Sequence, residues 1–303
     1  MSVRVAVLGL GAWGSTLAAL LERQGHRLTR WSRSGGGDPA QLLADQDLVL
    51  SAVAMAGVAD LAIQLAPSWP RGLPLLSCSK GLDPVHLCTP SQLWEGSNPS
   101  LQVIVLSGPN LAKELDQGLP AASVLASRHG TLATELQRQL SGETLRLYTN
   151  ADPLGTEVAG ALKNVMAVAA GVCDGLGLGA NAKASLLCRG LAEMGVVIEG
   201  LGGQSSTLYG LAGLGDLLAT ANSPLSRNFR YGLALAEGVG HRQALLRVGA
   251  TVEGAATATA VTRLAAAKGW HLPICEQVEA LIQGQISPAQ TVRALMDRTL
   301  KGE

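Results

Sequence analysis

Lys163 and Asn164 are the polar pair inside an otherwise apolar stretch, Thr156–Gly171, which reads TEVAGALKNVMAVAAG. At helical spacing Lys163 is surrounded by Ala159, Gly160, Met166, Ala167 and Ala170. A helix that is apolar all round is a buried one, and a buried lysine needs a partner. Desolvation lowers such an ammonium toward the range useful for proton transfer. The alternative is a lysine that carries its amine to the surface near a helix end. Two further segments hold polar groups of unusual placement. Gly210–Asp216 is a Gly-rich turn ending on a lone carboxylate, Asp216. Ser226-Arg227-Asn228 follows Pro224 and offers a helix cap, free backbone N–H groups and a guanidinium, a donor set suited to a phosphate. The same residues read equally well as an N-cap with a surface arginine.

A second chemical signal lies at the start of the chain. Val3–Leu8 reads as a buried strand and runs into Gly9-Leu10-Gly11-Ala12-Trp13-Gly14, then into a helix from about Ser15 to Gln24. In a G-x-G-x-x-G turn the first glycine makes the bend and the second admits a pyrophosphate to the backbone. The third lets helix and strand pack closely, and the helix N-terminus attracts the anion. Residues Gly9, Gly11, Ala12, Trp13 and Gly14 are therefore expected to hold a dinucleotide. An NAD site would place an acidic residue at the end of the next strand, Arg27–Trp31. Ser32 and Arg33 stand there instead, which favours the 2′-phosphate of NADP(H) and leaves NAD(H) open.

The elements that must position these groups come in two kinds. Strands at Asp47–Val53, Leu73–Ser77, Gln102–Leu106, Ala122–Leu125 and Leu145–Tyr148 alternate with helical segments at Gly57–Leu65, Leu111–Leu115 and Leu132–Leu140. That alternation predicts an α/β Rossmann-type domain, a doubly wound parallel sheet over residues 1–150. Lys80 and Asn110 fall just past strand ends, where such sheets bind ligands, although a solvated loop explains either one alone. After Thr149 helical patterns dominate: Pro153–Gly171, Ala182–Gly200, Ser226–Glu237, His241–Val248, Gly254–Lys268, Ile274–Gln283 and Pro288–Leu300. Residues 151–303 are thus expected to form an all-α domain.

Composition narrows the function classes. The chain has 303 residues with 23 basic and 23 acidic side chains, so no global charge points to nucleic acid or an acidic membrane. Five cysteines without a C-x-x-C pair read as free, buried thiols in a reducing compartment. The scattered histidines predict no metal site. The N-terminal apolar run passes straight into Gly-x-Gly rather than a cleavage site, and no strongly apolar, uncharged run has membrane-spanning length. A soluble cytoplasmic protein is the expectation.

The ordered blocks GLGAWGSTLA (9–18), SKG (79–81), GPNLAKE (108–114), ALKNVMAVAAG (161–171), GLGDLLAT (213–220), SRNFRYG (226–232) and VEGAATATAV (252–261) resemble the NAD(P)-dependent glycerol-3-phosphate dehydrogenases of bacteria and plastids. The resemblance implies reversible reduction of dihydroxyacetone phosphate to glycerol 3-phosphate, serving phospholipid synthesis. It makes Lys163 the proton donor and acceptor with Asn164 as its helper, and sets Asp216 and Thr220 around the reacting carbonyl. Substrate contacts fall on Lys80, Gly108, Asn110, Lys163 and Asp216, with Ser226, Arg227 and Asn228 at the phosphate. Cofactor contacts fall on Trp13, Arg33, Lys80, Ala112, Arg227 and Glu253. A homodimer is compatible with it. Two departures stand out: SGGGDPAQLLADQD after Arg33 is shorter than the family stretch, and Asn110 replaces the usual serine. Rival readings are a Lys-Asn dehydrogenase of the 6-phosphogluconate or 3-hydroxyisobutyrate type and a non-catalytic NADP-binding sensor.

Overall fold

A computed structural model describes residues 2–296. The first half runs β1 (Arg4–Leu8), α1 (Ala12–Arg23), β2 (Arg27–Trp31), β3 (Leu48–Ser51), α2 (Val58–Leu65), β4 (Leu75–Ser77), α3 (Pro90–Ser97), β5 (Val103–Ser107), α4 (Ala112–Asp116), β6 (Ala121–Ala126), α5 (Gly130–Leu140) and β7 (Leu145–Asn150). The strands form one sheet in the order β2-β1-β3-β4-β5-β6-β7. Val5 and Val7 face a core shared with α1 and α5, while Ala6 and Leu8 face α2 and α3. Burial on both faces explains why these strands read as near-continuous apolar runs.

From β1 the chain crosses to β2 on one side and then to β3 on the other. That reversal opens a crevice at the carboxyl ends of β1 and β3, the place where such sheets take ligands. One expectation is corrected. The sheet is not wholly parallel, because β6 runs antiparallel to β5. The intervening chain holds only the short α4, too little to cross over and return parallel.

The second half is helical among the described residues: α6 (Pro153–Gly175), α7 (Gly179–Gly200), α8 (Asp216–Ala221), α9 (Arg227–Ala236), α10 (His241–Val248), α11 (Glu253–Lys268), α12 (Pro273–Ile282) and α13 (Pro288–Met296). The predicted last helix matches α13 at its start, and its residues 297–300 lie outside the described ones. α6 is the axis of the apolar core. By length and composition it could cross a membrane, yet 89% of its most apolar window is buried inside the protein. It is a core helix. Asp152 caps it, accepting from Gly155 N at 2.9 Å. It crosses α9 at a pair of glycines. A Cβ on Gly171 would lie 2.1 Å from the Phe229 carbonyl, and one on Gly232 would lie 2.1 Å from the Val168 carbonyl. Only glycine lets the two backbones approach so closely.

Three further expectations change. The Gly-rich turn before Asp216 is wound as a π-helix, Leu211–Gly215, that runs into α8. α3 was not predicted from its polar sequence, PSQLWEGS; a Thr89/Gln92 capping box and the burial of Trp94 hold it. The five cysteines are free, but they are not all buried: Cys188 is exposed and Cys88 half-buried.

Candidate functional site

The turn after β1 has the shape its glycines require. Gly9 has φ +95°, and a Cβ there would meet the Ala52 and Val53 backbone within 2.9 Å. A Cβ on Gly14 would lie 1.9 Å from the Gly9 carbonyl. Around Gly11, by contrast, nothing lies within 4 Å of an added Cβ. Gly11 is also the N-cap of α1 without a side-chain cap, so the first N–H groups of the helix from Ala12 onward stay free for an anion. Trp13 packs against the core between the sheet, α1 and α5, and its buried indole N–H has no partner among the described residues. Ala112 opens α4, which packs on α1. A dinucleotide pyrophosphate fits this open, donor-lined face.

At the end of β2 the two arginines separate. Arg30 is paired with Glu22 of α1. Arg33 is exposed at the start of a short 3-10 turn, Arg33–Gly35, which Ser32 caps by accepting from Gly35 N at 3.1 Å. It makes no ion pair among the described residues.

The carboxyl ends of β4 and β5 bring the second half of the chain to the crevice. α6 reaches β5 through Gly160, where a Cβ would lie 2.7 Å from Ser107 Oγ and 3.8 Å from the Lys80 side chain. One turn further on, Lys163 is buried with 7% of its surface exposed. Its Nζ donates to Thr220 Oγ1 at 2.7 Å and lies 3.0 Å from Asp216 Oδ1. Thr220 donates in turn to Asp216 Oδ1 at 3.1 Å. Lys80 reaches the other oxygen, Asp216 Oδ2, at 2.6 Å and donates to the Gly108 carbonyl at 3.1 Å. Asp216 is therefore not a lone carboxylate, since two ammonium groups share it.

The electrostatics follow from that ratio. Burial lowers the Lys163 amine to about 8, with Asp216 opposing the shift and Lys80 and Arg227 adding to it. Burial alone would raise Asp216, but Lys163 and Lys80 together hold its carboxyl below the usual range. Two cations around one anion leave a net positive charge in a water-poor site, where it attracts an anion strongly.

The far wall is built by α9 and α11. Ser226 caps α9 by accepting from Phe229 N at 3.2 Å. Arg227 is exposed and makes no ion pair among the described residues. Asn228 joins three elements: its Nδ2 donates to Asn164 Oδ1 at 2.8 Å, and its Oδ1 accepts from Gly254 N at 2.9 Å. Asn164 thus braces α6 against α9 rather than bonding to Lys163. Glu253 leans toward the nucleotide half and accepts from Met55 N at 3.4 Å. Burial raises its carboxyl, against the effects of Met55 and Arg227. Asn110 accepts from Ser123 Oγ at 2.9 Å, and its buried Nδ2 has no partner among the described residues. Among the described residues no group of three or more His, Cys, Asp or Glu side chains could hold a metal ion.

Family models for the N-terminus and C-terminus of NAD-dependent glycerol-3-phosphate dehydrogenase match residues 4–36 with 36–133, and 152–293. The chain belongs to the glycerol-3-phosphate dehydrogenase family. A glycerol-3-phosphate dehydrogenase [NAD(P)+] of Synechococcus sp. strain RCC307 is 58% identical over 303 residues, covering 100% of both chains. One from Synechococcus sp. strain JA-2-3B'a(2-13) is 50% identical over 99% of this chain and 95% of its own. The crystal structure of glycerol-3-phosphate dehydrogenase from Coxiella burnetii superimposes with a TM-score of 0.94 at 32% identity, over 98% of this chain and 99% of that one.

In this dehydrogenase the structure gathers Lys80, Gly108, Lys163, Asp216 and Thr220 into one hydrogen-bonded cluster. Asn164, Asn228 and Gly254 form a separate chain beside it. Sequence reading missed Gly160, whose absent side chain admits Ser107 and Lys80 to the helix. The signal was available, because Gly160 stands one turn before Asn164 on a stretch otherwise rich in alanine.

Proposed function

We propose that residues 1–150 hold NAD(P)H and residues 151–303 supply the substrate groups, and that together they interconvert dihydroxyacetone phosphate and sn-glycerol 3-phosphate. The observation that carries this reading is the pair of ammonium groups on Asp216, with Arg227 close by. A small ketone bearing a phosphate supplies the missing negative charge and a carbonyl oxygen for the buried amine. Arg227 and the start of α9 suit the phosphate, whose binding energy orients the carbonyl. NAD(P)H, when bound along Gly9–Gly14, supplies the hydride. Lys163 gives its proton to the oxygen as that oxygen becomes an alkoxide, and the fixed positive charge stabilises the change. Asp216 and Thr220 hold the Lys163 amine in place, and Lys80 adds its donor at the same carboxylate. In the reverse direction the neutral amine of Lys163 takes the hydroxyl proton.

Arg33, exposed and without an ion pair among the described residues while Arg30 is engaged by Glu22, favours the 2′-phosphate of NADPH over NADH. The free thiols suit a reducing cytoplasm, and the exposed apolar side chains Leu178 and Val196, at and along α7, suit a homodimer. One assay tests the reaction. Purified protein should oxidise NADPH faster than NADH with dihydroxyacetone phosphate, and in the opposite direction should not reduce NADP+ with 6-phosphogluconate or 3-hydroxyisobutyrate. Turnover confined to one of those hydroxy acids overturns the substrate, and cofactor binding without any turnover overturns the enzyme.

A further inference from the structure

α6 carries a second buried ionisable group, Glu157, which the reaction above does not use. It is 3% exposed and sits six residues before Lys163, roughly 9 Å along the same rigid helix. Its carboxylate turns away from the lysine cluster. Ser91, in the first turn of α3, donates its backbone N–H to Glu157 Oε1 at 2.9 Å and its hydroxyl to Oε2. A buried carboxylate is costly in an apolar helix unless its oxygens are satisfied. An alanine or leucine would serve packing better, so the grip on Ser91 is what this glutamate supplies.

What Ser91 terminates gives the grip its meaning. The chain from β4 to α3 carries Lys80. At its start Ser79 donates to the Val53 carbonyl at 2.7 Å, and midway Asp83 accepts from Val85 N and His86 N at 2.9 and 2.7 Å. Gly81, at φ +149°, lies against Met55. Leu82 packs into the α6 core. The far end is tied by Glu157 to the helix that bears Lys163.

We propose that Glu157 is a positioning residue for the reaction: by holding Ser91 with both carboxylate oxygens it fixes the Lys80 loop against α6 and sets the spacing of Lys80 and Lys163 across Asp216. The inference rests on the reading of Lys163 as the proton donor. The bidentate contact fixes direction as well as distance, which a single hydrogen bond does not. Burial pushes the Glu157 carboxyl up to about 7, against the hydrogen bonds from Ser91 and Thr89, with Glu95 of α3 adding to the rise. Cys88, the other titratable neighbour, is itself raised by burial and stays neutral. Protonation near neutral pH replaces two charge-assisted bonds with neutral ones and loosens the grip.

Glu157→Gln and Ser91→Ala in the full-length chain test the proposal. Expected for Glu157→Gln, in the reductive direction, are an unchanged NADPH dissociation constant, a kcat lowered roughly tenfold or more as displaced groups lose alignment, and loss of the wild-type decline in kcat as pH falls below about 7, where Glu157 takes up its proton. Ser91→Ala should lower kcat less, and the double variant should match Glu157→Gln because both act through one contact. Wild-type kcat and pH profile in Glu157→Gln, with only the melting temperature lowered, overturns the positioning role. Should Glu157→Gln fail to fold, Ser91→Ala decides alone, and an unchanged kcat there overturns the proposal. A wild-type protein that does not reduce dihydroxyacetone phosphate overturns the assigned reaction instead, so the two failures are distinguishable.

Discussion

The turn at Gly9–Gly14 works by leaving side chains out, whereas the cluster around Asp216 works by bringing charged side chains in. In the first, the Gly9 and Gly14 positions are filled by neighbouring backbone and only Gly11 is open. Six consecutive residues, from the end of β1 into the first turn of α1, build the whole feature. In the second, Lys80, Lys163, Asp216 and Thr220 arrive from a β4 loop, α6 and α8. A backbone site positions its donors by local conformation. A side-chain site depends on the packing of distant elements and can be disrupted from any of them. The two regions should therefore fail in different ways when cut.

The largest effect is expected at the cluster. Lys163→Ala should lower kcat by about 10²- to 10⁴-fold, the range supplied by a positioned general acid. NADPH binding, measured by quenching of protein fluorescence, should stay near wild type because the Gly9–Gly14 turn is untouched. A parallel loss of cofactor affinity would mean that the two regions are not separable.

The turn should break in two distinguishable ways. Gly14→Ala forces a methyl group into the Gly9 carbonyl, 1.9 Å from the ideal Cβ. The strand and helix must part, at roughly 1–3 kcal/mol as in other overpacked sites, and the melting temperature falls. Gly11→Ala meets no protein atom within 4 Å, so its melting temperature should hold while the dissociation constant for NADPH rises. Equal thermal losses in both variants would show that Gly11 also serves packing rather than the ligand.

How much of each region could be read beforehand follows the same division. The turn was legible because its meaning lies in the spacing of neighbours, and Lys163 was legible because its own helix is apolar on every side. Asp216 stood out as a carboxylate after a Gly-rich turn, but its sharing by Lys80 did not, since Lys80 is 136 residues away in the chain. Nothing near either residue announces the pairing. Asn164 lay correctly beside Lys163 in sequence, yet adjacent helical positions point about 100° apart, and its side chain meets Asn228 instead. The reversal of β6 left no mark in its own residues, because an apolar run looks the same in either direction. Only the shortness of its connection, with α4 as its one helix, carried the signal.

Arg227 tests whether the cluster extends to the exposed edge of the site. Arg227→Ala removes a cation that makes no ion pair among the described residues, so stability should not change. The Michaelis constant for dihydroxyacetone phosphate should rise roughly ten- to a hundredfold, the size of a charged hydrogen bond lost from a bound anion. An unchanged constant would confine the phosphate to Lys80 and the backbone of α9.

The smallest effect is a shift in a pH profile, and it separates field from contact. With Lys163 as the proposed proton donor, reduction draws on its ammonium, so kcat/KM in that direction should fall as pH rises through about 8, the value to which burial lowers the amine. Oxidation of glycerol 3-phosphate needs the neutral amine and should rise over the same range. Asp216 favours the charged form, while Lys80 and Arg227 disfavour it. Asp216→Asn should therefore move the midpoint down, and Arg227→Ala should move it up by a smaller amount because that guanidinium is exposed and screened. Opposite shifts in the two variants would establish that Lys163 titrates in a field set by the whole cluster. No shift in either would mean that the midpoint belongs to another group, and that the cluster orders the substrate without tuning the proton.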